Sequence, residues 1–576
     1  MTPPARPWTD RLGRAFALDL RSLAALRAGL GLVLLLQTLM QLATLGDFVT
    51  DAGVWPRSLQ TLEAPAVALS LHLANGSWVY AAVLQMLLAG AAVAMALGWN
   101  ARSANLLAWV LSVSLIHRND HVVGSADLLI AALLLWCWFL PTAARWSLDR
   151  ALSPSAIPAD HRHTSWASAA LLLQVLTVFA VGAWLKPPPS AGLTSVGLWL
   201  QGYPELADAL GLFERYAVLS AGLLLTWRDG RFVHGMRIVL LLQLLAVTVL
   251  TALTQRTGLL PLVQAVSLLA LVGPRFWDQR EARLRRDSGQ GELRVYYDGD
   301  CAFCFKCVRV IAVMLALPHA QLLPAQQNRR ADSLMRAQQS WVVIDHDDSA
   351  HLKGVALLRL MQRSPLLGWA RGALRVPFIE RWADAAYEAV ARQRPLWARR
   401  AERWLPERPH RFSPGIGLQR TAGLIATLLL VWNLFDLSTT STPLRPLLGT
   451  PLQLLRLDQR WDGYWPASAP SGDYWIAAAH LADGREVDAL RRRDALRFDL
   501  RLPADDDSLR WQTWRQHMTE PGLDAARARW AERLCQRWNA PLPAESRDRI
   551  VDLKLISIPG NAAEQRVLGR YDCPAP

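Results

Sequence analysis

The sequence predicts a multi-domain chain: an α-helical polytopic membrane domain, a small α/β domain, one more membrane helix and an α+β C-terminal domain. Three observations predict it. Apolar residues make up 52% of the 576, and they are unevenly placed: Leu, Ala and Val runs dominate up to Gly273, whereas the stretch after Ser438 is rich in Arg, Asp and Trp. Three of the six cysteines, Cys301, Cys304 and Cys307, fall together between a β-type run and a helical apolar pattern. Arginine is crowded and sparse in alternate loops between the apolar runs.

The first domain is expected over residues 1–285. After a basic, polar start, Leu23–Leu45 is apolar enough to span a bilayer, for which about 20 residues suffice. Further spans are expected at Ser77–Leu97, Ala104–Ile116, Ala126–Leu140, Ala167–Leu185, Leu206–Thr226, Ile238–Leu253 and Leu259–Gly273, eight in all. Nothing ahead of the first reads as a cleavable signal. With the N-terminus inside, the inner segments hold sixteen arginines and the outer ones only Arg57, Arg118, Lys186, Arg215 and Arg256. That asymmetry turns the N-terminus and the cysteine segment to the cytoplasmic side of a bacterial inner membrane. The net charge of +14 belongs to the same topological arginines. No nucleic-acid-binding signature accompanies it, so nucleic acid is excluded as a partner, and the lipid bilayer is the expected one.

The second domain is expected over residues 292–396. Leu293–Tyr297 reads as a strand, Asp298 and Gly299 as a turn, and Val308, Ile311, Ala312 and Leu315 as a helix. Strand, turn, CxxC and helix in that order build a thioredoxin-like redox site. Cys301 falls at the start of the helix, where free amides and the helix dipole favour a thiolate. Cys304 follows one turn later, placed to resolve a mixed disulfide. Trp341–Asp345 is expected as a second strand, with helices at Val355–Met361 and Trp382–Arg392. An iron–sulfur cluster needs a fourth cysteine, and position 311 is Ile. Zinc also needs a fourth ligand, for which His319 is the nearest candidate, so no metal is expected. Cys307 reads as packing or an auxiliary thiol.

A further span is expected at 419–437, and residues 438–576 as an extracytoplasmic α+β domain. There Tyr474–Leu481 and Glu486–Leu490 flank Asp483 and Gly484, a hairpin signal, and Ala525–Trp538 is an amphipathic helix. Trp461–Pro466 forms an aromatic, turn-rich cluster. Cys535 and Cys573 either pair as a disulfide on an oxidising face or stand apart; spacing does not decide. Cys137 lies in an apolar span and reads as packing.

Two resemblances add to this reading. Tyr297, Asp298 and Gly299, then Cys301, Cys304 and Val308, with Gly354–Ala356, Tyr387 and Ala391–Arg394, resemble the DCC thiol-disulfide oxidoreductase-like family, a thioredoxin-related group. The resemblance implies protein-disulfide reductase activity with Cys301 as nucleophile, Cys304 as resolving thiol and Asp298 in the signature. Asp300 stands where a neutral residue is more usual; a carboxylate there either raises the thiol pKa or accepts its proton. The membrane segment resembles the HTTM domain of vitamin K-dependent γ-carboxylase relatives. That likeness rests on Asp19–Leu23, Thr50–Pro56, Arg118 and Asn119 with Gly124 and Asp127, Ser147–Asp149, and Gly182 with Lys186. It implies Lys186 as a base working with a reduced quinone, and matches a family histidine with Asp120 or His121. The residues themselves also allow plainer roles. Lys186 sits where an interfacial lysine snorkels, and Arg118 and Asp127 are suited to a structural pair.

The leading expectation is a membrane-anchored thiol-disulfide oxidoreductase without a cofactor, acting on a disulfide-containing protein or small thiol. The alternatives are a quinone-linked, carboxylase-like membrane enzyme using Lys186, Asn119, Asp120, His121 and Asp127, or a non-enzymatic maturation or export factor.

Overall fold

A computed structural model describes residues 15–63, 70–154, 161–184, 194–222, 231–287, 293–317, 320–345, 347–370, 372–437, 444–457, 474–496, 508–558 and 565–574. Lys186, His319 and the Trp461–Pro466 cluster lie outside them.

The helical part runs α1 (Leu20–Leu42), α2 (Trp78–Leu97), α3 (Ala101–Arg118), α4 (Ser125–Trp138), α5 (Trp166–Trp184), α6 (Pro204–Gly222), α7 (Arg231–Thr254), α8 (Leu260–Ser267) and α9 (Pro274–Asp287). Each stretch expected to span is mostly helical in its described residues, but length and polarity separate them. Among the described residues, α1, α2 and residues His234–Thr254 of α7 are long and apolar enough to cross a membrane. The expected span Leu259–Gly273 ends at a bend: Leu260–Leu271 and Pro274–Arg283 of α9 meet there at 85°. Helix α4 and the segment Trp166–Ala180 are apolar but shorter. Hydropathy alone does not register where a helix bends or ends.

Asp19 caps α1 by accepting the Arg21 amide at 2.7 Å, and buried Arg21 also pairs with Asp278 and Glu281 of α9. Buried Arg27 donates to the Met95 and Ala96 carbonyls that end α2 and to the Trp146 carbonyl. The last carbonyls of a helix lack following helical amides, and a guanidinium reaches several carbonyls at once. The crossing of α1 and α2 is close because position 31 is glycine: a Cβ there would stand 2.7 Å from the Ala96 nitrogen.

The second unit is β1 (Arg294–Tyr297), α10 (Ala302–Met314), β2 (Gln321–Pro324), α11 (Arg329–Gln338), β3 (Val342–Ile344), β4 (Ala350–Leu352) and α12 (Lys353–Arg363), followed by α13 (Pro377–Arg392) and α14 (Arg394–Trp404). The sheet order is β2-β1-β3-β4, with β1 parallel to β2 and the other pairs antiparallel. Alternation along the strands sends Val295 and Val343 to one face, against Val308, Ala356 and Leu360. Tyr296, Val342 and Ile344 go to the other, against Ala325 and Ala331. Buried Asp345 ends β3 between Arg359 and Arg363 of α12. At the start of α12 the Gly354 and Val355 amides donate to the Asp384 carboxylate of α13.

After α14 comes α15 (Ile416–Leu437), and then the last unit: β5 (Tyr474–Leu481), β6 (Glu486–Asp488), α16 (Leu509–His517), α17 (Asp524–Asn539), β7 (Ile550–Ile558) and β8 (Arg566–Asp572). Its antiparallel sheet has the order β8-β7-β5-β6. A disulfide joins Cys535 of α17 to Cys573 after β8, so the alternative left open by spacing resolves to a bond.

The two sheet units pack on opposite ends of the bundle. Beyond the C-terminal end of α1, Phe48 and Trp55 bury against Trp511 and Trp514. Arg529 reaches the Gly53 and Asp51 carbonyls there, and Arg533 pairs with Asp47. At the other end, Arg280 of α9 donates to the Pro365 carbonyl at 2.7 Å, and Arg309 of α10 to the Ser153 carbonyl.

Candidate redox site

Strand β1 is buried at Val295 and Tyr296, and the chain leaves the sheet at Tyr297. Asp298, Gly299 and Asp300 turn it, with the Cys301 amide donating to the Asp298 carbonyl at 3.1 Å. Cys301 is the N-cap of α10: its backbone is extended (φ −110°, ψ 99°), and its Sγ accepts the Cys304 amide at 3.2 Å. Sulfur thus takes the place that a serine or aspartate oxygen fills at an ordinary helix start. The free amides of the thirteen-residue helix are directed at that sulfur.

Cys304 is half-buried one turn on, and Cys301, Cys304 and Cys307 are all free thiols. Burial is the main cause that pushes the Cys304 thiol up to about 12, with the hydrogen bond and charge of Cys301 next, while Arg394 opposes the shift and Asp298 adds to it. Burial first and Cys301 second push Cys307 up to about 11. Cys304 is therefore a protonated thiol at neutral pH. A carboxylate oxygen of Asp298 and the sulfurs of Cys301 and Cys304 all lie within 4.8 Å of one another.

Residues 295–400 match the family model of DCC1-like thiol-disulfide oxidoreductases. No curated protein and no solved structure matches the chain.

Within the DCC1-like domain, a residue that the sequence reading missed sets the loop. Gln326, just after β2, accepts the Gly299 amide at 3.1 Å and donates to Asp298 at 3.2 Å and Asp300 at 3.4 Å. Asp300 is exposed and held by that glutamine, so the carboxylate grouped with the sulfurs is that of Asp298. A lone glutamine 22 residues past Cys304 carries no sequence signal until β2 is known to lie beside β1. Arg394, the first residue of α14, is the cation whose field reaches both Cys304 and Cys307. Its guanidinium donates to the Gln339 carbonyl at 2.7 Å and the Tyr387 hydroxyl at 3.1 Å. It belongs to the Ala391–Arg394 stretch that carried the family resemblance.

Of the other expected site residues, Asn119, Asp120, His121 and Asp127 lie at the far end of the bundle, apart from the dithiol. Buried Asn119 donates to the Phe48 carbonyl at 3.2 Å and accepts the His121 amide at 3.1 Å. Asp120 pairs with Arg456. His121 packs edge-on to Trp55 and Trp514, 4.6 Å and 6.0 Å between centroids. Burial, and then nearby His517, push its imidazole down to about 4, which keeps it neutral. The expected Arg118–Asp127 pair is not formed. Arg118 donates to the Trp55 carbonyl at 2.8 Å, while Asp127 holds Gln37, Gln41 and the Gly124 amide that begins its own helix. Asp127 faces a cavity of about 20 Å³, lined also by Gln37, Gln41, Asn119 and Arg510. That is room for about one water, and a quinone does not fit it.

Proposed function

We propose that the chain is a membrane-anchored thiol-disulfide oxidoreductase of the protein-disulfide reductase type, with the Cys301–Cys304 pair as its dithiol. The observation that carries this is the N-cap position of Cys301, its sulfur receiving the Cys304 amide beside the Asp298 carboxylate. The β-α-β-α-β-β-α order of the domain, with sheet order β2-β1-β3-β4, is that of a thioredoxin-like unit and supports the same reading.

The Cys301 thiolate attacks one sulfur of a target disulfide. A mixed disulfide forms, and the other target sulfur leaves as a thiolate and takes a proton from water. Asp298 then accepts the Cys304 proton, the Cys304 sulfur attacks Cys301 Sγ, and the mixed disulfide breaks, its target sulfur leaving as a thiolate that takes the proton back from Asp298. The products are a Cys301–Cys304 disulfide and a second target thiol. Two electrons have passed from the dithiol to the target, and an external dithiol reductant must return them. Asp300 positions the loop through Gln326.

Three helices of crossing length, sheet units at opposite ends of the bundle and the arginine asymmetry support a multi-pass protein of a bacterial inner membrane. The free dithiol at one end and the Cys535–Cys573 disulfide at the other support a cytoplasmic redox domain and an outer C-terminal domain. The contacts of Asn119, Asp120 and His121 support a clasp for the outer domain in place of carboxylase-like chemistry.

The test is a Cys304→Ser variant of the full chain. It accumulates a mixed disulfide through Cys301 that dithiothreitol releases; mass spectrometry that finds no such adduct refutes the proposal. Asp298→Asn leaves formation of the adduct unchanged and slows its resolution about a hundredfold near neutral pH. With the Cys304 thiol pushed up to about 12, its anion grows with pH, so resolution in that variant accelerates about tenfold per pH unit across the neutral range. A flat stopped-flow profile would contradict the assigned proton acceptor.

A further inference from the structure

Helix α13 presents an apolar face that nothing in the described chain covers. Phe378 and Trp382 are 74% and 68% exposed, and α13 has no buried residue. Ala385 and Ala389 continue the same face at helical spacing, also exposed. Helix α14 repeats the composition with more charge. Trp397 and Trp404 stand two turns apart, Trp404 61% exposed, and the Arg400 guanidinium lies 5.2 Å over the Trp397 ring. Contiguous exposed aromatics of this kind mark a surface that is covered in use.

The charge around them identifies what covers it. From Arg375 to Arg411 there are nine arginines and no lysine against five acidic residues, so the partner is anionic. The place in the fold narrows it further. Just past α14, Lys306 donates to the Leu405 carbonyl at 3.0 Å and the His410 amide to Ser153 at 3.2 Å. Arg102, at the start of α3, donates to the Phe412 carbonyl at 3.1 Å. The chain that follows the two aromatic-basic helices is thereby fastened to the end of the bundle, and α15 begins at Ile416. At that same end the arginine-rich α9 turns by 85° from the direction of Leu260–Leu271. Trp and Phe beside arginine, on a helix that leads into an apolar one, suit the boundary between headgroups and acyl chains.

We infer that α13 and α14 lie on an anionic bilayer surface, with Phe378, Trp382, Trp397 and Trp404 in the headgroup boundary and Arg399, Arg400 and Arg403 on lipid phosphates. The inference rests on the membrane reading above. Arg394, the residue beside the dithiol, opens α14, so this seating brings Cys301 close to the lipid surface. The substrates it selects are disulfides displayed by proteins at that surface.

The test is hydrogen exchange of the full-length protein in nanodiscs of phosphatidylcholine alone or mixed with phosphatidylglycerol. Amides of residues 377–404 exchange about tenfold more slowly in the anionic discs, while those of α11 do not change. Arg399→Ala/Arg400→Ala/Arg403→Ala removes the difference, and Trp397→Ser/Trp404→Ser reduces protection in both discs. Equal exchange in both lipids, or a difference that survives the triple variant, overturns the inference while leaving the membrane reading intact. Protection seen only in discs that hold two copies assigns the face to a second chain and also overturns it. A chain that enters neither disc refutes the membrane reading, and the inference falls with it.

Discussion

Cys301→Ser brings insulin disulfide reduction by the full-length protein, with a dithiol reductant supplied, down to the uncatalysed rate, a loss on the order of a thousandfold or more. The variant separates chemistry from structure unusually well. Serine is among the best N-cap residues, so its oxygen takes over the Cys304 amide and α10 keeps its start. The melting transition should stay within a degree or two while the nucleophile is gone. Cys307→Ser is the control. Burial pushes the Cys307 thiol up to about 11, so it supplies little thiolate at neutral pH, and its loss changes the rate by no more than about twofold. Insulin turbidity measures both. A Cys301→Ser protein that still reduces insulin would remove the N-cap sulfur from the mechanism.

Gly354→Ala unfolds or severely loosens the DCC1-like domain. A Cβ at position 354 would stand 2.1 Å from the Ala383 carbonyl carbon and 2.4 Å from the Asp384 nitrogen. Both are backbone atoms of α13, which no change of rotamer can move. Helices α12 and α13 must part, and the Asp384 carboxylate then loses the Gly354 and Val355 amides that it caps. Overpacking together with a lost cap costs about 3 kcal/mol or more. Limited proteolysis of the full chain should cut within 353–392 at a temperature where the parent protein resists. Unchanged resistance would contradict the close crossing.

The parts of this architecture legible in the sequence are those where one local signal suffices. Strand β1, the Cys301 helix start and β3 announce themselves through alternation and an abrupt change of period. The β5–β6 hairpin follows from Asp483 and Gly484. Strand β2 was missed because Gln321–Pro324 has too few apolar residues for any periodicity, and its strand state depends on the parallel register with β1. Gln326 was invisible for the same reason: its role exists only once β2 lies beside the cysteine loop. Strand β8 is mostly polar or charged, Arg566–Asp572, and is specified by the neighbouring β7. At the far end of the bundle the residue types were conspicuous and their use was not. Asn119, Asp120 and His121 read equally as catalytic or structural until Phe48, Arg456 and Trp514 were seen to hold them.

The clasp at that end also orders the making of the protein. Arg529 and Arg533 bind Gly53 and Asp47 across 476 and 486 residues of chain. Phe48 and Trp55 are therefore synthesised long before the tryptophans that cover them, and contacts of such separation form late. Until α16 and α17 emerge, the first loops expose an apolar surface that a chaperone must shield or that fails by aggregation. A chain truncated after α15 keeps its dithiol and leaves that surface bare for good, so quality control should recognise the loss of the last domain by the first.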